Sequence, residues 1–77
     1  MKSQIPVRFP EEVEKGSVSF WYVREGESVG IGKPLVEFVT DKTSFTFESP
    51  AACRIIKMLA GEGDEVVNGQ AIAEVEE

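Results

Sequence analysis

The feature that most constrains the fold of this chain is an internal repeat with a period of 37 residues. Glycines at positions 26 and 32 recur at positions 63 and 69, and this shift superposes residues 16–38 on residues 53–75. Average residue usage would give about one or two identities in such an overlap. The sequence has five: Glu25 with Glu62, Gly26 with Gly63, Val29 with Val66, Gly32 with Gly69, and Glu37 with Glu74. We therefore expect two halves of similar structure.

Each half has the pattern of short β-strands separated by turns. Beta-rich runs such as SVSFWYVR and KPLVEFV flank glycine-containing turns, EGES in the first half and EGDE in the second. No stretch shows a sustained apolar period of 3.6 residues, and Pro34 and seven glycines further oppose helices. Two such units, each unable to bury its apolar face alone, can pack face to face around one core. The sequence predicts an all-β sandwich or barrel.

The predicted core consists of apolar residues from these runs. They are Phe20, Val23, Val29, Leu35, Phe38, Phe45, Phe47, Ile55, Leu59, Val66, Ile72 and Val75. Ile5 and Phe9 are expected to cover one edge. The alternation in SFWYV is imperfect, so the sequence does not decide which of Phe20, Trp21 and Tyr22 faces inward, and we expect one of these aromatic side chains to be exposed.

Length and charge limit the classes of function. The chain has 77 residues, which predicts a single domain over residues 1–77. Its formal net charge of −6 disfavours both the phosphates of nucleic acids and an anionic membrane surface. No apolar run approaches the roughly 20 residues that span a bilayer, and the N-terminal segment MKSQIPVRFPEE lacks the apolar stretch of a signal peptide. We expect neither nucleic acid nor membrane as a partner.

Missing residue types argue against catalysis by the chain itself. The sequence has no histidine and a single cysteine, Cys53, so it has neither the usual catalytic triad nor the ligands of an ordinary zinc site. It also lacks the glycine-rich loops that bind phosphates. The sequence predicts no catalytic residue, no metal ligand and no intramolecular disulfide.

Lys42 interrupts a stretch, FVTDKTSFTF, that otherwise has the composition of strands. By the repeat, the first half ends near Thr40, and the following segment TSFTFES alternates apolar and polar residues as a strand with one wet face does. LVEFVT and TSFTFES are thus expected to form a hairpin with Asp41 and Lys42 at its tip. The Lys42 amine should project into solvent, either as an ordinary solvated turn lysine or as a site of modification.

Taken together, these segments resemble a lipoyl domain of the 2-oxo acid dehydrogenase complexes, in the biotinyl/lipoyl attachment family. The resemblance covers about residues 5–76 and is carried by Gly16, EGESV, Gly32 before PLVEFVTDKTSF, ESPA, and EGDEVVNGQAIAEVE. It implies a flattened barrel, or barrel-sandwich hybrid, of two four-stranded antiparallel sheets related by a quasi-twofold axis. It also implies that lipoic acid is attached to Lys42 in amide linkage, with Asp41 and Thr43 shaping the turn and serving in recognition by the ligase.

The function that the resemblance implies is that of a non-catalytic carrier. The lipoyl group on Lys42 would act as a swinging arm that carries acyl groups and electrons between active sites. The implied partners are a lipoate ligase or lipoyl transferase, a thiamine-diphosphate-dependent 2-oxo acid decarboxylase, an acyltransferase core and dihydrolipoyl dehydrogenase. The isolated domain is expected to be monomeric, in the bacterial cytoplasm or an organelle matrix, either within a dihydrolipoamide acyltransferase subunit or as a free-standing carrier.

Two other functions stay open. One is a biotin carrier domain of a carboxylase, although biotin domains usually place the lysine between two methionines and here its neighbours are Asp41 and Thr43. The other is an unmodified structural or adaptor barrel of the same fold. The sequence also departs from the family at Cys53, where glycine usually follows SPAA. Cysteine there would be strained if the backbone needed a positive φ, and otherwise it is a small apolar residue.

Overall fold

A computed structural model, which describes residues 1–10 and 12–77, shows eight β-strands and no helix in those residues. The strands are β1 (Lys2–Pro6), β2 (Lys15–Trp21), β3 (Ser28–Val29), β4 (Pro34–Val39), β5 (Ser44–Glu48), β6 (Cys53–Met58), β7 (Glu65–Val67) and β8 (Ala71–Glu76). They form two antiparallel sheets with the orders β1-β8-β6-β3 and β5-β4-β2-β7. The domain measures 34 × 21 × 18 Å. The prediction of an all-β flattened barrel of two four-stranded sheets is confirmed.

The repeat appears as an exchange of short strands between the halves. The 37-residue shift relates β2, β3 and β4 to β6, β7 and β8, so the two sheet orders correspond when β5 is matched with β1. Yet β3 of the first half pairs with β6 of the second, and β7 of the second pairs with β2 of the first. The halves therefore do not form one sheet each, as simple face-to-face packing of two units would require.

Equivalent hydrogen bonds on the two sides show how closely the halves correspond. The Gly26 N–H donates to the Ile55 carbonyl at 2.7 Å, and the Gly63 N–H donates to the Val18 carbonyl at 2.8 Å. Both glycines have left-handed backbone, with φ of 94° and 89°. A side chain is strained in that conformation, which explains why glycine recurs at both turns.

The core contains most of the residues that the sequence predicts. Val23, Val29, Leu35, Phe38, Ile55, Val66, Ile72 and Val75 are buried, and Phe45 and Phe47 are partly buried against them. Ile5 and Phe9 are also buried, with Ile5 on the edge strand β1. Two predicted core residues are wrong: Phe20 is 50% exposed and Leu59 is 36% exposed.

A β-bulge explains why Phe20 lies outside. The pairing of β2 with β4 changes register between Val18 and Phe20, so the inward positions shift by one residue along the strand. Trp21 then points inward, where its indole N–H donates to the Ala60 carbonyl at 2.8 Å. Phe20 and Tyr22 are both exposed. Leu59, the counterpart of Tyr22 in the second half, is exposed at the equivalent position.

The segment between β1 and β2 packs across the end of the β4–β5 hairpin. Phe9 and Val13 are buried, and the Phe9 ring meets the rings of Phe38 and Phe45 edge-on at centroid distances of 5.2 and 5.4 Å. Asn68 accepts a hydrogen bond from the Phe9 N–H at 3.0 Å through its side-chain oxygen. These contacts fix the described part of the segment relative to the hairpin.

Candidate functional site

The structure places Asp41 and Lys42 at the tip of the hairpin between β4 and β5. Val39 and Ser44 are the last paired residues of the two strands, and the Thr40 N–H donates to the Thr43 carbonyl at 2.8 Å. Both tip residues are exposed. The Lys42 side chain therefore projects from a closed, hydrogen-bonded turn on a paired strand base.

Thr40 organises the backbone of the tip, a role that the sequence did not reveal. Its hydroxyl accepts hydrogen bonds from the N–H groups of Lys42 at 3.2 Å and Thr43 at 3.0 Å, and it donates to the Thr43 carbonyl at 2.7 Å. The Asp41 carboxylate makes no hydrogen bond to any described residue, so the turn-shaping contacts expected of Asp41 come from Thr40. Side-chain hydroxyls of threonine stabilise turns in this way. The segment TDKTSFT has three threonines, and the sequence does not indicate which of them would form the hydrogen bonds of the turn.

The hydrogen bond that closes the hairpin tip has an equivalent on the other side of the repeat. The bond from the Thr40 N–H to the Thr43 carbonyl corresponds to a bond from the Glu77 N–H to the Met1 carbonyl at 3.0 Å. The bond that closes the hairpin tip and the bond between Glu77 and Met1 thus lie at equivalent places on the two sides of the repeat.

The amine of Lys42 contacts the segment between β1 and β2. Its Nζ donates a hydrogen bond to the Glu12 carbonyl at 3.0 Å. Among the described residues Glu12 is the one non-glycine residue with positive φ, at 73°. That conformation is uncommon for a residue with a side chain. Neither the contact nor the strained backbone has a signal in the sequence, because the residues are 30 positions apart and position 12 is not glycine.

Gly16 allows the hairpin tip to approach β2. A Cβ atom at this position would lie 3.1 Å from Thr40 Cγ2, 3.3 Å from Phe9 Cε1 and 3.3 Å from the Val39 carbonyl oxygen. These separations are tighter than ordinary van der Waals contact. The absence of a side chain at position 16 thus lets Thr40 pack against β2, and a larger residue there would push its neighbours aside.

A groove of about 540 Å³ runs beside Lys42, between the hairpin tip and the start of β2. Its charged lining consists of the carboxylates of Glu12, Glu14, Asp41 and Glu65 and the amines of Lys15 and Lys42. Lys15 and Glu65 form an exposed ion pair at 3.7 Å, which adds little to stability. With four carboxylates against two amines, the groove favours a cationic over an anionic surface.

Cys53 occupies the position equivalent to Gly16 without strain. Its φ is not positive, since Glu12 is the one non-glycine residue with positive φ among those described, and its side chain is 7% exposed. Cysteine in place of the usual glycine is therefore a small buried residue in β6. Within residues 1–10 and 12–77, no group of three or more histidine, cysteine or acidic side chains could hold a metal ion. No helix in that part of the chain is long and apolar enough to cross a bilayer.

Fold and site together define a class of protein: a small all-β domain of two pseudo-equivalent sheets that presents a single lysine at a hairpin tip. Residues 1–75 match the model of the Biotin_lipoyl family, described as biotin-requiring enzyme, and the chain belongs to this family. The resemblance to lipoyl domains of 2-oxo acid dehydrogenase complexes is confirmed by the relatives and the solved structure described below.

Two relatives are named dihydrolipoyllysine-residue succinyltransferase component of 2-oxoglutarate dehydrogenase complex. The protein from Bartonella vinsonii subsp. berkhoffii is 38% identical over 66 residues, which cover 86% of this chain and 16% of the relative. The protein from Staphylococcus saprophyticus subsp. saprophyticus is 40% identical over 67 residues, which cover 87% of this chain and 16% of the relative. The chain thus spans about a sixth of the length of these relatives.

Two solved structures share the fold. The lipoyl domain of the 2-oxoglutarate dehydrogenase complex from Azotobacter vinelandii superposes with a TM-score of 0.72 at 29% identity, over 95% of this chain and 96% of that domain. A single-chain, multi-domain long-chain acyl-CoA carboxylase superposes with a TM-score of 0.82 at 20% identity, over 97% of this chain and 7% of that protein. At that identity the second likeness shows the fold alone.

Proposed function

We propose that this chain is a single lipoyl domain over residues 1–77, that Lys42 carries lipoic acid in amide linkage, and that the domain serves a 2-oxo acid dehydrogenase complex. The observation that carries the proposal is the exposed Lys42 amine on a hydrogen-bonded hairpin tip. An amine in this position can enter the active site of another enzyme while the paired strands beneath it stay folded. In a carrier of this kind the domain contributes position and recognition, and the chemistry belongs to the attached group.

The residues present fit a covalently attached acyl arm. Lys42 has a primary amine, the tip is open to solvent, and the adjoining groove leaves room around the Nζ atom. Attachment would form an amide bond between Nζ and an activated lipoyl carboxyl group supplied by a lipoate ligase or lipoyl transferase, with loss of the activating group and a proton. When bound, lipoate supplies a dithiolane that accepts an acyl group together with two electrons.

The carrier role requires three further partners beside the modifying enzyme. A thiamine-diphosphate-dependent 2-oxo acid decarboxylase would load the arm, an acyltransferase core would unload it, and dihydrolipoyl dehydrogenase would reoxidise it. Tethering raises the effective concentration of the arm at each active site. The rigid hairpin holds Lys42 away from the core, and Asp41 and Thr43 beside it would serve in recognition by the ligase. This role would place the domain in the bacterial cytoplasm or an organelle matrix.

Lipoate is favoured over biotin by the sequence around the amine and by the relatives. Lys42 lies between Asp41 and Thr43, whereas the methionines of the chain are Met1 and Met58. The two succinyltransferase components described above are 38% and 40% identical to this chain, but the carboxylase is 20% identical. The acidic lining of the groove, which includes Asp41, would meet a basic face of the modifying enzyme.

Intact-mass measurement after expression with a lipoate ligase, and separately with a biotin ligase, tests the proposal. We expect a lipoyl-sized adduct on the wild-type chain and none on Lys42→Arg, which retains the positive charge. Lys33→Arg is the matched control, because Lys33 is also exposed at a turn, and it should be modified as the wild type is.

Each other outcome contradicts the proposal in a defined way. A biotinyl adduct with no lipoyl adduct would identify a biotin carrier. No adduct with either ligase, from a folded chain, would identify an unmodified barrel. A lipoyl adduct that persists in Lys42→Arg would place the attachment at another lysine.

A further inference from the structure

Two aromatic side chains form an exposed pair on the outer face of the sheet β5-β4-β2-β7. Phe20 is 50% exposed and Tyr22 is 44% exposed, and their rings meet edge-on at a centroid distance of 5.1 Å. A single exposed aromatic residue is ordinary for a soluble protein. An edge-on pair is less so, because the two rings hold each other in a fixed orientation and leave the ring face of one available. The pair lies outside the site around Lys42.

An acidic residue without a cationic partner lies directly across from this pair. Glu37 is the cross-strand neighbour of Phe20, and its side chain points outward because Val36 and Phe38 on either side are buried. Glu37 is half-buried. Within the described part of the chain its carboxylate forms no ion pair and no side-chain hydrogen bond; the ion pairs found there are Lys15–Glu65 and Arg54–Glu76. A partly desolvated carboxylate gains from a cation placed against it.

The second half of the repeat has a lysine at the position equivalent to Phe20. The 37-residue shift carries Phe20 to Lys57 and Glu37 to Glu74. Lys57 and Glu74 are cross-strand neighbours on β6 and β8, as Phe20 and Glu37 are on β2 and β4. The fold thus sets a lysine opposite the carboxylate on one sheet. On the other sheet an aromatic ring stands in the place of the lysine, so Glu37 has no cation as its cross-strand neighbour. Among the described residues neither Glu37 nor Glu74 forms an ion pair.

The chemistry of this patch selects a guanidinium group. A cation over an aromatic face within about 6 Å of the ring centre is attracted by the ring quadrupole. Arginine combines this stacking with two parallel hydrogen bonds to a carboxylate, whereas the compact ammonium of lysine does neither as well. The net charge of −6 on the chain as a whole also favours a cationic partner. Arg24, the cation nearest in sequence to the aromatic pair, lines a cavity with Phe20 and Glu62.

We propose that Phe20, Tyr22 and Glu37 form a docking site for an arginine side chain on a partner protein. We call these three residues the arginine patch, after the side chain that they would bind. The patch is separate from the Lys42 amine that the proposed function uses, and binding to it does not depend on the modification of Lys42. The arginine would stack on the aromatic pair and form an ion pair with Glu37. Apolar residues that flank this arginine in the partner would pack beside the two rings.

Titration of the ¹⁵N- and ¹³C-labelled chain with the blocked peptide Gly-Leu-Arg-Leu-Gly, followed by NMR, tests the arginine patch. The peptide with citrulline in place of arginine is the matched probe, since it keeps the shape and loses the charge. We expect saturable shifts of the Phe20 and Tyr22 ring signals and the Glu37 carboxylate signal. Binding of the citrulline peptide should be about threefold to tenfold weaker.

Variants of the chain distinguish binding of the peptide at the arginine patch from its general electrostatic attraction to the chain. Glu37→Gln should weaken arginine-peptide binding to the level of the citrulline peptide. Phe20→Lys, which reproduces the pairing of the second half, should abolish it while preserving the fold. Glu74→Gln removes the same charge from the other sheet and should leave binding unchanged.

Three results would overturn the inference. Equal shifts with both peptides would show that charge is not recognised. Equal losses in Glu37→Gln and Glu74→Gln would show that net charge alone attracts the peptide. Concentration-dependent dimerisation of the chain that Phe20→Lys abolishes would show that the patch binds a second copy instead.

Discussion

The side-chain amine of Lys42 donates a hydrogen bond to the backbone carbonyl of Glu12 at 3.0 Å. This contact joins the hairpin tip to the segment between β1 and β2, across 30 positions of the sequence. Both groups are exposed, so the bond adds little to stability and mainly orients the amine. Acylation of Lys42 would replace a cation with three donor hydrogens by a neutral amide with one. Acylation of Lys42 would therefore weaken the contact.

The backbone of Glu12 predicts different effects for two substitutions. Its φ of 73° lies in the left-handed region, which glycine adopts without strain and a β-branched residue adopts only at a cost in free energy. We expect Glu12→Val to lower the free energy of unfolding by about 1–2 kcal/mol. Glu12→Gly should leave it within about 1 kcal/mol of the wild type, because relief of strain offsets the greater flexibility of the unfolded chain. Urea denaturation followed by circular dichroism measures both, and equal stability of the two variants would argue against a left-handed residue 12.

Gly16 and Gly30 form a matched pair for testing the packing under the hairpin tip. A Cβ at Gly16 would crowd Thr40, Phe9 and the Val39 carbonyl, whereas a Cβ at Gly30 meets only Lys33 Cγ at 3.7 Å. Gly16→Ala should destabilise the domain by about 1–3 kcal/mol through overpacking. Gly30→Ala should be neutral or stabilising by up to about 1 kcal/mol, since it only restricts the unfolded chain. Thermal and urea unfolding of both variants provide the comparison, and equal effects would contradict the close approach at Gly16.

The hydroxyl of Thr40 is expected to hold the tip in the conformation that presents Lys42. Thr40→Val keeps the shape of the side chain and removes its hydrogen bonds to Lys42 and Thr43. We expect a loss of about 1 kcal/mol in unfolding free energy and faster hydrogen exchange of the Thr43 amide. Thr46→Val on the exposed face of β5 is the control and should stay within about 0.5 kcal/mol of the wild type. An unchanged Thr43 exchange rate in Thr40→Val would rule out this role for the hydroxyl.

The repeat made most of the fold predictable because it consists of local sequence features, namely strand-forming runs and turn glycines. Strand-forming runs and the glycines at 26 and 63 recur in register, and the two predicted turns are present, with left-handed backbone at both glycines. The exchange of β3 and β7 between the sheets was not predictable, because a two- or three-residue strand carries no mark of which partner it will pair with. The position of Lys42 at a turn followed from the alternation after it, a local feature as well.

The parts of the site that the sequence missed all depend on contacts between distant segments. Nothing in the sequence marks the Glu12 carbonyl as a partner of Lys42, since any residue has a carbonyl. The exposure of Phe20 depends on a bulge that forms only when β2 pairs with β4. An alternating pattern fixes two faces only where the register is continuous, which is why the imperfect run SFWYV could not separate Phe20 from Trp21.

Trp21 provides the sharpest test of that bulge. Its ring is 8% exposed, and its indole N–H donates to the Ala60 carbonyl at 2.8 Å, which ties the end of β2 to the turn after β6. Trp21→Phe would leave that carbonyl without its partner and a small void beside it, so we expect a loss of about 2–3 kcal/mol in unfolding free energy. Tyr22→Phe removes an exposed hydroxyl from the next residue and should change stability by less than about 0.5 kcal/mol. Urea unfolding followed by circular dichroism measures both variants, and a larger effect at Tyr22 than at Trp21 would mean that the bulge turns the other ring inward.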